Sequence, residues 1–226
     1  MSGEDDNEEL ASSELGTIEY WDKTYSTEIQ NFEDHGDIGE VWFGEDSALR
    51  VVRWLCDNPE VKRDDRILDV GCGNGMLLIE LAREKFCDLT GIDYSQNAIE
   101  LANAVARKQN IDIKYYVCDM LANYDELIEG GTLLKEYDIV LDKGTYDAVS
   151  LHPVDAKKKR EKYIENIHRI LSHTGMFVIT SCNWTQGELI SHFKAKFELL
   201  DIIPTPKFQF GGKTGSLITS LVLRKC

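Results

Sequence analysis

Apolar residues along this chain gather in short continuous runs, and between the runs they recur at every third or fourth position. Ile67, Leu68 and Val70, and Ile139-Val140-Leu141, suit strands covered on both faces, since a parallel sheet clothed in helices has no polar side. Met76 to Arg83 and Tyr163 to Leu171 carry good helix formers at helical spacing. Strands are expected at Arg66 to Val70, Leu89 to Asp93, Ile113 to Val117, Tyr137 to Asp142 and Gly175 to Thr180, with another helix at Glu188 to Lys196. Phe197 to Ile203 and Ser216 to Leu223 read as two further strands, paired with each other. Alternating strands and helices predict an α/β, Rossmann-like, doubly wound and mostly parallel sheet.

The first strand breaks into Gly71-Cys72-Gly73-Asn74-Gly75 and then a helix, so a tight loop joins strand to helix. A dinucleotide fingerprint needs its third glycine at position 76, and that residue is Met. Gly-x-Gly-x-Gly with Asp69 two residues ahead resembles motif I of the class I methyltransferases that use S-adenosylmethionine. That cofactor has no pyrophosphate, so Asp69 suits its cationic amine, and the helix N-terminus suits its carboxylate. Gly71, Cys72, Gly73 and Gly75 are expected around it. A plain turn between strand and helix is the blander reading of the run taken alone.

Asp93 ends the second strand, 18 positions after Gly75, where an acid can accept from both ribose hydroxyls. Ser95 is a plausible N-cap for the next helix, and Tyr94 is placed to lie along the adenosine. The third strand ends in Cys118-Asp119-Met120, and the resemblance implies that Asp119 and the Met120 backbone face the adenine. An acid after a strand is also a common turn residue. Tyr137 to Asp142 runs into Lys143-Gly-Thr-Tyr-Asp-Ala148 at the mouth of the sheet, where ligands of open α/β sheets sit. That string resembles one in protein-lysine methyltransferases and implies a catalytic, substrate-orienting role for Asp142. Pairing with Lys143 is the structural alternative.

The two ends of the chain sharpen the resemblance. Tyr20-Trp21-Asp22-x-x-Tyr25, Gly39 to Gly44, Thr180 to Trp184 and Pro204 to Gly212, with the central strings, are similar to the methyltransferase-like group that methylates a lysine of eukaryotic translation elongation factor one-alpha. The resemblance implies a seven-stranded sheet of order 3-2-1-4-5-7-6 with strand 7 antiparallel. It also implies an N-terminal segment, about residues 15 to 60, that folds over the cofactor with Trp21, Tyr25 and Trp42 as lid aromatics. Core packing is the other reading of those rings. The loop at Gly211 to Gly215 is expected to be flexible and near the substrate side.

Composition agrees with one domain over residues 15 to 226. Residues 1 to 14 are acidic and are expected to be disordered. No run approaches the ~20 apolar residues of a membrane helix, and no signal peptide is seen. A monomer in the cytoplasm, and also the nucleus, is expected. The six cysteines show no paired or metal spacing and read as free thiols, with no metal expected. A net charge of −15 argues against binding a phosphate backbone and for a basic partner, so a protein substrate is expected and no nucleic acid. Lys157 to Arg160 reads first as a solvated helix face.

The expected reaction is in-line methyl transfer to a neutral lysine, which at pH 7 costs roughly 4 to 5 kcal/mol from a pKa near 10.4. Asp142 is expected to orient the amine, with Tyr146 and Trp184 holding the cationic head. A small-molecule or nucleic-acid methyltransferase, or a non-catalytic scaffold of the same fold, are the alternatives.

Overall fold

Ile67, Leu68 and Val70 are almost fully buried, and this places β1 (Arg66–Val70) at the middle of a sheet with helices on both sides. The computed structural model describes residues 9–128, 133, 136–210 and 213–226. A short 3-10 helix at Glu14–Gly16, then α1 (Ile18–His35) and α2 (Glu45–Asp57), precede β1. After it come α3 (Met76–Arg83), β2 (Asp88–Asp93), α4 (Gln96–Lys108), β3 (Lys114–Val117) and α5 (Tyr124–Ile128). The chain continues through β4 (Tyr137–Lys143), α6 (Thr145–Ser150), α7 (Ala156–Ile170), β5 (Leu171–Ser181), α8 (Gln186–Phe193) and β6 (Phe197–Ile202). A hairpin of β7 (Lys207–Phe210) and β8 (Lys213–Ser216) follows, and β9 (Thr219–Lys225) closes the sheet.

The main sheet has the order β3-β2-β1-β4-β5-β9-β6. Because the small hairpin forms a separate sheet, β9 is the seventh strand of the main one, and the expected order 3-2-1-4-5-7-6 is the observed order. β9 runs antiparallel to β5 and β6, whereas β1 to β5 pair in parallel. β5 starts at Leu171, ahead of the expected Gly175, and its register against β4 shifts between Tyr137 and Ile139.

Side chains alternate across the pleat, so neighbouring strand residues belong to different cores. Ile67, Ile139, Leu141 and Val178 pack with α1 to α4 on one face. Leu68, Val70, Val140, Phe177 and Ile179 pack with α7 and α8 on the other. The helices begin where their sequences supply caps. Thr17 Oγ1 accepts from Tyr20 N at α1, Ser95 Oγ accepts from Ala98 N at α4, and Thr185 and Glu188 form a reciprocal capping box at α8.

Part of the segment expected to be disordered is described, and it is docked. Residues 1–8 lie outside the described residues, but Glu9 pairs with the Arg160 guanidinium at 2.7 Å, and Leu10 packs against the second core. Ser13 N donates to Leu151 O at 3.0 Å. The acidic composition hid this because the partner is one cation, brought to the surface by α7. The run Lys157 to Arg160 divides accordingly: Lys157 and Lys158 are exposed, while Arg160 is buried beneath Glu9 with its guanidinium 5.4 Å from the Trp184 ring. Gly211 and Gly212 of the expected flexible loop lie outside the described residues.

Candidate active site

The carboxyl ends of β1 to β5 converge on one cleft enclosing about 1240 Å³, its open mouth included. Its walls come from the loop after β1, the ends of β2, β3 and β4, and the segment before and within α1. This is where the parallel strands diverge to either side of β1, the usual ligand crevice of such sheets.

Gly71 and Gly73 have φ of +67° and +53°, in the left-handed region where side chains cost energy. A Cβ on Gly73 would stand 2.6 Å from the Tyr25 hydroxyl, and one on Gly71 would collide with the Thr145 side chain. The glycines therefore make room for the protein's own lid and for α6 as well as lining the cleft. Asn74 sews the loop to the lid: its Nδ2 donates to Ile38 O at 3.0 Å and Glu40 O at 3.3 Å, and its Oδ1 accepts from Met76 N at 3.3 Å.

Asp93 is buried on the cleft wall, its carboxylate accepting Gly73 N at 3.1 Å and Ser95 N at 3.0 Å. Burial pushes its pKa up to about 6, against the opposing pull of those two backbone hydrogen bonds. Tyr94 also lines the cleft, and its hydroxyl donates to Thr17 O at 3.2 Å. Asp119 and Met120 follow on the β3 side. Asp119 Oδ1 accepts Leu121 N at 2.8 Å, and the Met120 carbonyl accepts Asn166 Nδ2 at 2.7 Å.

The lid aromatics meet over the cleft, which all three line. Trp21 stacks on Tyr25 at 6.0 Å between centroids and meets Trp42 edge-on at 4.9 Å. Trp21 Nε1 donates to Leu15 O at 2.8 Å. Asp22 anchors α1 to α4 by accepting Ser95 Oγ at 2.5 Å and, through its carbonyl, Asn97 Nδ2 at 3.0 Å.

Five expected residues do not line the cleft: Asp69, Gly75, Asp142, Tyr146 and Trp184, and Gly75 faces the Tyr115 hydroxyl instead. Asp142 does not line the cleft: it is 2% exposed, and its carboxylate accepts Thr145 N at 3.0 Å, Tyr146 N at 2.9 Å and the Tyr163 hydroxyl. The period of two turns Asp142 toward α7, and there it fastens the start of α6. Burial raises its pKa to about 7. Tyr146 and Trp184 are likewise core residues, with the Tyr146 hydroxyl on His192 Nδ1 and Trp184 Nε1 donating to Ser150 Oγ. Asp69 is buried behind the glycine loop, and burial raises its pKa to about 7 although the charge of Lys143 opposes this. Sequence reasoning gave no cleft role to Lys143, Asn74, Leu15, Asp147, His152 or Asn183, all of which line it. Asn74 was the most legible, as a polar residue inside the glycine run.

Fold and cleft define a class: a seven-stranded Rossmann-like sheet with a nucleoside-sized crevice over the strand ends, as in class I methyltransferases. A family profile described as a methyltransferase domain matches residues 61–219, and the chain belongs to that family. It is 45% identical over 214 residues to EEF1A lysine methyltransferase 2 of Homo sapiens, spanning 94% of this chain and 87% of the relative. Protein-lysine N-methyltransferase EFM4 of Saccharomyces cerevisiae is 36% identical over 229 residues, spanning 96% and 97%. Magnesium protoporphyrin IX methyltransferase from Synechocystis PCC 6803 shares the fold at a TM-score of 0.65 and 16% identity, covering 95% of this chain and 99% of that one.

Proposed function

We propose that the protein is an S-adenosylmethionine-dependent protein-lysine N-methyltransferase that modifies EEF1A, the elongation factor named by its relatives. The observation that carries this is identity of 36–45% to relatives named for that activity along nearly the whole chain. The lining of the cleft fits the cofactor: a buried carboxylate at Asp93, an apolar wall of Trp21, Tyr25 and Met120, and the cation Lys143, with the Asp69 carboxylate buried behind the loop. When bound, S-adenosylmethionine supplies an electrophilic methyl group on a sulfonium.

In this reading Asp93 accepts from the ribose hydroxyls, with its orientation already set by Gly73 and Ser95. Tyr94 lies along the nucleoside, and Asp119 and Met120 face its base. Trp21, Tyr25 and Trp42 exclude water above it, since α1 is bound to α4 through Asp22. Asp142 acts at one remove by fixing the start of α6, whose Asp147 and Ala148 line the acceptor side of the cleft. A lysine amine reaching that side is desolvated among Trp42 and Phe43, which favours the neutral nucleophile. We extend the reading to a monomer working in the cytoplasm.

Incubating the protein with labelled cofactor and a cell lysate tests the substrate class. Label in one protein band of elongation-factor size is expected; label in RNA or small molecules, or no label, contradicts the reading.

A further inference from the structure

Lys143 is the cation of the cleft, and the sequence offered it only as a partner for Asp142. It follows Asp142 at the end of β4, and because Asp69 pairs in register with Leu141, Lys143 stands diagonally beyond Asp69 on the same face of the sheet. Its Nζ donates to Trp42 O at 3.1 Å and lies 5.9 Å from the Phe43 ring. An ammonium has three donors, and the Trp42 carbonyl takes one. Burial lowers the pKa of Lys143, with Asp69 as the largest opposing charge. A cation and an anion thus lie on one face of the β1–β4 pair without forming an ion pair, each disfavoured by burial, beside the loop at Gly71.

A ligand laid along the strand ends with its nucleoside toward Asp93 and Asp119 carries its remaining atoms over β1 and β4. At the other natural anion site, the amino terminus of α3, Asn74 Oδ1 accepts Met76 N, and none of Met76, Leu77 and Leu78 lines the cleft. We propose that Lys143 binds the carboxylate of the cofactor's amino-acid end, so that the zwitterion is held between Lys143 and Asp69. This rests on the methyltransferase reading. A zwitterion supplies an anion to the buried cation and a cation to the buried anion, and a ligand without its carboxylate supplies only one of the two.

Calorimetric titration separates the possibilities, using S-adenosylhomocysteine and its decarboxylated analogue against the wild type, Lys143→Met and Lys143→Gln. The wild type is expected to prefer S-adenosylhomocysteine by roughly 10- to 100-fold, the range of one charged hydrogen bond. Each variant is expected to lose that preference while binding the analogue as the wild type does. The analogue reports on the integrity of the cleft, and either folded variant suffices. A variant that keeps the wild-type preference, or that weakens both ligands equally, overturns the role of Lys143 and leaves the proposed function standing. A wild type that binds neither ligand overturns both.

Discussion

Asp142 and Lys143 are consecutive at the end of β4 and serve opposite faces of the sheet. The carboxylate is spent on Thr145, Tyr146 and Tyr163, toward α6 and α7, while the ammonium reaches the cleft and the lid carbonyl of Trp42. One strand end therefore separates a residue that holds the scaffold from a residue that lines the cleft.

Replacing Asp142 by Ala strands two backbone N–H groups and a buried hydroxyl, at a cost of about 2 to 4 kcal/mol. Thermal melting is expected to fall by roughly 5–10 °C for a chain of this size. Tyr163→Phe removes one of the three donors and should show a fraction of that loss. An unchanged melting temperature in Asp142→Ala with abolished turnover would instead restore Asp142 to direct chemistry.

The pH dependence of binding should report Asp93. Its folded pKa is raised to about 6, above the ~3.9 of an unfolded aspartate, so this group lowers stability as pH climbs from about 4 to 6. Binding runs the opposite way, because only the carboxylate accepts from two hydroxyls. Ionisation of Asp93 is expected to contribute a roughly fourfold rise in affinity for S-adenosylhomocysteine from pH 5.5 to 7.5, in addition to the rise from Asp69, whose pKa is raised to about 7. In Asp93→Asn, binding should be weak and this fourfold share of the dependence absent.

The lid can be followed by its own fluorescence. Trp21 and Trp42 line the cleft, whereas Trp184 is buried in the opposite core. Titration with S-adenosylhomocysteine is expected to change tryptophan emission, and the change should shrink in Trp21→Phe. That variant also loses the hydrogen bond to Leu15 O, so its affinity should drop by about tenfold.

Gly73→Ala combines a positive φ with a methyl group 2.6 Å from the Tyr25 hydroxyl. Weaker cofactor binding and a lower melting temperature are expected. Adding Tyr25→Phe should recover part of both, since it removes the clash and leaves the backbone strain; no recovery in the double variant would mean that Tyr25 is not what the glycine accommodates.

The sheet was legible because buried parallel strands are continuous apolar runs, and Asp93 was legible because its strand ended just there. Which of Asp142 and Lys143 lines the cleft was not, since period two says only that they differ. The choice is made by Tyr163, which arrives from α7, 21 residues along the chain, and by Trp42, 101 residues away. Glu9 and Leu10 were obscured in the same way: an acidic, locally featureless segment is ordered by Arg160, 151 residues later. The glycines, read as space for a ligand, also face Thr145 and Tyr25, contacts that only the folded chain reveals.

The most direct measurement is mass spectrometry of purified EEF1A after incubation with the protein and S-adenosylmethionine. Methyl increments confined to one lysine, and missing with a variant in which Asp93 is replaced by Ala, are the expected result. EEF1A recovered without added methyl groups, from a reaction in which the protein demonstrably binds the cofactor, would contradict the account.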